Sequence, residues 1–105
     1  MKNKRTKAVD ITNKAREAVR KRDRGFCILC GKRGLPSAHF ISRAQNGLGI
    51  EENLITLCFF CHDKYDNSVE RPVMQADIGK YLQKKYPNWD ESKLVYNKFS
   101  WLEGE

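Results

Sequence analysis

Two Cys-x-x-Cys pairs, Cys27-Ile28-Leu29-Cys30 and Cys58-Phe59-Phe60-Cys61, limit what this chain can fold into more than any other feature. Each pair lets two thiolates grip one ion from a single tight turn, and together they supply the four sulfurs of a tetrahedral zinc at about 2.3 Å. The 27 residues from Gly31 to Leu57 exceed the roughly 15–20 common between such pairs, so that stretch is expected to carry structure of its own. Disulfides and redox-active thiols are the competing readings. The start, Met1-Lys2-Asn3-Lys4-Arg5, is charged and leads into no apolar run that would mark export, which favours zinc and a cytoplasmic protein.

Both histidines of the chain fall within or beside this frame, His39 between the pairs and His62 directly after the second. A chain of 105 residues is expected to form one domain, 1–105, and to bury only about 60–65 % of its unfolded surface, so a metal staple contributes to its stability. No stretch approaches the roughly 20 apolar residues of a membrane span.

The net charge of +7 is concentrated at one end. Residues 1–24 hold ten Lys or Arg against Asp10, Glu17 and Asp23, and the remainder is neutral. Such a basic arm points to a polyanionic partner, because Lys and Arg gain affinity by displacing counterions from phosphates; a solvated face kept for solubility is the plainer alternative. Arg16, Arg20, Lys21 and Arg24 are the phosphate contacts expected from it.

Residues 1–9 read as a loosely held tail. Asp10 or Thr12 is placed to cap a helix through about Lys21, with Ile11, Ala15, Ala18 and Val19 as its apolar stripe. Leu35–Ile41 and Asn53–Leu57 read as short strands around a glycine-rich loop, and Cys61–Asp66 as a short helix. After Pro72, the spacing of Met74, Ile78, Tyr81, Leu82 and Tyr86 predicts a longer helix. A final segment, about Asp90 to Phe99, puts Leu94, Val95 and Phe99 on one face. Trp89, Tyr96, Phe99 and Trp101 are expected to close the core rather than stack on bases.

The run Cys27-x-x-Cys30, Ser37-Ala38-His39-Phe40-Ile41-Ser42-Arg43 and Glu52-Asn53-Leu54-Ile55-Thr56-Leu57-Cys58-x-x-Cys61-His62 resembles the HNH endonucleases, and Arg43 with the Tyr/Trp-rich C-terminal part is similar to the small HNH proteins of phages and prophages. The resemblance implies a small α+β fold. Its ββα-metal core (25–70) would be braced by a four-cysteine zinc and flanked by an N-terminal basic helix (1–24) and C-terminal helices (71–105). It further implies a metal-dependent DNA endonuclease leaving a 5′ phosphate and a 3′ hydroxyl, with phage packaging or recombination proteins as allowed partners.

On that resemblance His39 is the general base, Asn53 orients it by fixing the strand–loop geometry and the tautomer of its ring, and His62 holds a catalytic divalent ion, magnesium, manganese or nickel, distinct from the zinc. An imidazole suits a neutral base, and a divalent ion neutralises the leaving oxygen. Where the family often has Asp or His before the base this chain has Ala38, so Asp66, one turn beyond His62, is the substitute ligand, with Asp63 the weaker choice. Arg43 is a phosphate contact, or else a surface ion pair with Glu51 or Glu52. Plainer roles stand beside these: His39 as a satisfied polar residue, Asn53 as an Asx turn, His62 as a zinc ligand, Asp66 as a solvated carboxylate. The alternative function is a non-catalytic zinc module binding nucleic acid or protein.

Overall fold

The computed structural model describes residues 4–97. Thr12 starts its first long helix, α2 (Asn13–Asp23), by accepting the Ala15 N–H on Oγ1 at 3.0 Å. Ile11, Ala15 and Val19 form the stripe that packs on Leu54. Arg24 ends the helix in a left-handed conformation, φ 59°, which satisfies the last turn at the cost of crowding a side chain.

Ahead of α2 the tail is not loose. Residues Lys4–Val9 form a short helix, α1, whose last residue is buried. The Arg5 guanidinium donates to Asn46 Oδ1 at 2.6 Å and to the Arg43 carbonyl at 2.7 Å, and the Gly49 N–H donates to the Ala8 carbonyl at 2.9 Å. These distant partners order a segment whose own composition reads as solvated.

Strands β1 (Leu35–His39) and β2 (Leu54–Leu57) pair antiparallel, Ala38 opposite Ile55 and His39 opposite Leu54. The register shifts between Leu35 and Ala38, where Pro36 has no N–H to give the ladder. Both strands are shorter than expected, because Asn53 closes a single helical turn, Glu51–Asn53, before β2. Every residue of β2 is buried: Leu54 meets the α2 stripe, while Ile55 and Leu57 join the main core.

Helix α3 (Phe59–Asn67) starts at the second knuckle, two residues earlier than expected, because Cys58 Sγ caps it by accepting the Cys61 N–H at 3.4 Å. Tyr65 is fully buried on α3, and its hydroxyl donates to the Phe40 carbonyl at 2.6 Å, tying the helix to the end of β1. Helix α4 (Arg71–Lys85) admits Pro72 in its first turn, where no N–H is required, and buries Ile78 and Leu82. Beyond it the expected further helix reduces, among the described residues, to one turn, Glu91–Lys93. Leu94 is buried there as a core residue, and Val95 bridges to Gly47. Trp89 is half-buried against the core: it meets Phe40 edge-on at 5.5 Å and donates Nε1–H to the Glu52 carbonyl. Phe99 and Trp101 lie outside the described residues.

One member of the basic arm faces inward. Arg22 makes two parallel hydrogen bonds to buried Asp23, at 2.7 and 2.9 Å, and donates to the carbonyls of Glu51 and Leu54 and to the Tyr86 hydroxyl. Asp23 also accepts from the Thr56 N–H and the Tyr81 hydroxyl. This network locks α2 to β2 and α4, and it removes Arg22 from any phosphate-binding face. The whole is a small α+β fold, with β1, β2 and α3 in the order of a ββα-metal core.

Candidate metal centre and active-site cleft

The four cysteines converge. The sulfurs of Cys27, Cys30, Cys58 and Cys61 lie within 4.8 Å of one another, with Cys30 and Cys58 at 3.5 Å. A tetrahedron with 2.3 Å arms has edges of about 3.8 Å, so the group fits a four-coordinate ion. The first knuckle turns on Gly31, φ 81°, with the Cys27 N–H donating to the Lys32 carbonyl and the Gly31 N–H to that of Cys27. The Ile28 N–H, bonded to the Thr56 carbonyl at 3.1 Å, seats that knuckle on β2. The Cys61 N–H draws the Cys58 thiol down to about 7, whereas burial and the neighbouring sulfurs push the Cys61 thiol up. Sulfurs this close repel one another as anions, and a dication is what lets all four ionise.

On the other side of α3, His39, Ser42, Arg43, His62, Asp66 and Arg71 line an open cavity of about 470 Å³. β1 delivers His39 as its last residue, and α3 carries His62 and Asp66 one turn apart. His62 Nε2 and Asp66 Oδ2 are 3.2 Å apart, close to the roughly 3 Å between adjacent ligands of a small octahedral cation at 2.0–2.1 Å. Ala38, beside the base position, is 1 % exposed and offers no donor. Among the described residues, the cysteines are the one group of three or more Cys, His, Asp or Glu gathered closely enough to hold an ion.

His39 Nε2 lies 3.0 Å from the Val9 carbonyl oxygen. A carbonyl only accepts, so Nε2 carries the hydrogen and Nδ1 is left with its lone pair. Burial holds this imidazole below its ordinary 6.5; the Val9 carbonyl and Asp10 pull it up, and Arg43 and His62 push it further down.

The hydrogen bond to the His39 ring therefore comes from the end of α1, and the side-chain hydrogen bonds of Asn53 go to the strand–loop junction. Asn53 is fully buried and braces the loop. Its Oδ1 accepts the Ile41 N–H at 2.9 Å, and its Nδ2 donates to the carbonyls of Ile41 and Leu48 at 3.1 and 2.8 Å. Gly47 lets this brace close, since a Cβ there would lie 1.7 Å from the Ile41 carbonyl oxygen.

Arg43 pairs with Asp10 at 2.7 Å rather than with Glu51 or Glu52; Glu51 is taken by the Tyr86 hydroxyl. Arg71, which sequence reasoning missed, lies 4.0 Å over the Tyr65 ring, donates to the Tyr65 carbonyl at 2.8 Å and approaches Asp66 at 3.8 Å. A lone arginine ahead of a proline gives no sequence signal of this. Arg16, Arg20, Lys21 and Arg24 do not line the cavity: Arg20 pairs with Glu17, and Arg16 donates to Asn13. No helix of the described residues is long and apolar enough to cross a membrane.

No curated protein and no solved structure matches the chain. Residues 27–68, which span both cysteine pairs, His39, Asn53 and His62, match the family model of the HNH endonucleases.

Proposed function

We propose that this protein is a metal-dependent DNA endonuclease of the HNH type, cutting or nicking one strand at each active site. The observation that supports this reading most is the setting of His39. Its Nε2–H is engaged by Val9 and its Nδ1 is free to accept a proton, in a cavity shared with two arginines and the His62–Asp66 pair. His39 Nδ1 takes a proton from the attacking water as its oxygen bonds to phosphorus and the bond to the 3′ oxygen breaks. Arg43 and Arg71 hold the charged phosphate, each with N–H groups beyond those it spends on the protein.

His62 and Asp66 would hold the divalent cation, magnesium, manganese or nickel, whose Lewis acidity would offset charge on the leaving oxygen and the phosphate. Two protein ligands suit an ion that keeps waters and substrate oxygens for its other positions. Asn53 fixes the loop that carries Arg43 against β1. Zinc on the four cysteines is structural in this reading, as its four positions are filled by protein.

A second reading, a zinc-bound module that binds nucleic acid or protein without cutting it, draws support from Ala38, which leaves the cation two ligands on the chain. Incubation of supercoiled plasmid with zinc-loaded protein and magnesium, manganese or nickel, beside His39→Ala, separates the two. Ion-dependent nicking lost in the variant supports the nuclease. Binding without cutting under any of the three ions moves the second reading ahead.

A further inference from the structure

Two phenylalanines stand in solvent on the first turn of α3. Phe59 is 82 % and Phe60 69 % exposed, and their rings meet edge to face at 6.0 Å. Helical spacing places Phe59 on the face of His62 and Asp66, three and seven residues away. Its Cα is therefore about 4.5 Å along the axis from that of His62, one turn N-terminal to the residues that line the cleft.

A lysine edges the pair, and a second ring–cation contact lies on the first knuckle. Lys32 Nζ lies 5.8 Å from the Phe60 ring, and Arg33 stands over Phe26, itself 46 % exposed, at 6.0 Å. No Asp or Glu occurs from Arg24 to Ile50. Of the two acids on α3, Asp63 accepts a hydrogen bond from Asn67 at 2.9 Å and Asp66 is paired with His62 at 3.2 Å. Exposed rings edged by cations complement a chain of phosphates with stackable bases. They suit a second copy of this protein poorly, because the copy would set Lys32 and Arg33 against their own kind.

We infer that Phe59 and Phe60 form a stacking platform for unpaired DNA bases next to the scissile phosphate, so that the protein prefers DNA with a single-stranded gap or flap over a closed duplex. The inference rests on the proposal that the His39 cleft takes DNA, and it names the form of that substrate. A fully paired duplex keeps its bases stacked on one another and offers these rings nothing comparable.

The test uses the zinc-loaded full chain without added divalent ion. Fluorescence anisotropy compares a closed duplex with the same duplex carrying a short gap, for wild type, Phe59→Ala/Phe60→Ala and Phe59→Trp/Phe60→Trp. Wild type is expected to bind the gapped DNA roughly tenfold more tightly, the scale of one base stacked on an aromatic ring. The double alanine variant loses that margin and the double tryptophan variant keeps it. Both rings are exposed, so the fold is spared, and zinc content and circular dichroism check this.

Equal affinity of wild type for the two DNAs, or a margin that survives the double alanine change, overturns the platform. Plasmid nicking measured alongside tells the two ideas apart. Cutting without a gap preference sinks the platform alone, whereas absence of both binding and cutting sinks the DNA reading and the platform with it.

Discussion

His39 and Val9 are joined by a 3.0 Å hydrogen bond from the ring Nε2 to a main-chain carbonyl, so the tautomer of the proposed base is set by the end of a helix thirty residues upstream. Because burial holds the imidazole below 6.5, its neutral form prevails at neutral pH. The sign follows: the base form is lost only as pH falls through that lowered value. Nicking at saturating cation should be level around neutrality and decline below 6.5. A midpoint above about pH 7 in a rate profile would remove His39 from the role.

Removal of residues 1–9 takes away the carbonyl that holds the ring. Nicking is expected to fall by roughly 10- to 100-fold, the usual loss when an orienting partner goes. Retained zinc, measured by metal analysis, should be unchanged, since the hydrogen bonds of α1 run to His39 and the loop.

Asp23→Ala leaves Arg22 buried without its carboxylate and strips acceptors from Tyr81 and the Thr56 N–H. A loss of about 3–5 kcal/mol in chemical denaturation is expected, as for other broken buried pairs. Burial raises the Asp23 carboxyl, and the Arg22, Tyr81 and Thr56 hydrogen bonds outweigh it, leaving the group below its ordinary 3.8. A pKa depressed on folding stabilises above the unfolded value and is lost as pH falls through the folded one. The wild type should therefore weaken steeply in acid below 3.8, and Asp23→Asn, already without the charge, should lack that part of the slope.

The ββα order, the α2 stripe and the knuckles were legible in the sequence because each is local: paired cysteines, a Thr12 cap, apolar residues at three- and four-residue spacing. The parts that were not legible depend on distant partners. Nothing in Lys4–Val9 announces that Arg5 will reach Asn46 or that the Val9 carbonyl will meet a ring thirty positions on. Arg22 reads as one more surface cation until Asp23, Tyr81 and Tyr86 close around it. For the same reason the Asp10 partner of Arg43 and the place of Arg71 in the cleft emerged only with the fold.

Thr56 Oγ1 is a buried hydroxyl with no hydrogen-bond partner. Thr56→Val keeps the shape and removes the unsatisfied group. Thermal unfolding should show a neutral to favourable change of up to about 1 kcal/mol. A loss greater than that would mean the hydroxyl is bonded in solution.

If His62 and Asp66 hold the catalytic ion, their removal should act on cation demand and leave zinc in place. Asp66→Asn should raise the magnesium or manganese concentration for half-maximal nicking by roughly tenfold or more, and His62→Ala should abolish the response. Titration of nicking against each ion decides it; a normal cation curve in both variants would dismiss the pair.

Gly47 and Gly49 bear on redesign of this protein. The loop from Ser42 to Ile50 borders the cleft and, if the cleft cuts DNA as proposed, is the obvious stretch to randomise in a search for new cleavage preferences. Backbone passes so close to Gly47 and Gly49 that a side chain at either would strike the Ile41 or Asp10 carbonyl at 1.7 or 2.0 Å. A library there has two exposed cleft positions without a proposed role, Ala44 and Gln45; diversity placed at the glycines would yield mostly clones that never assemble the cleft.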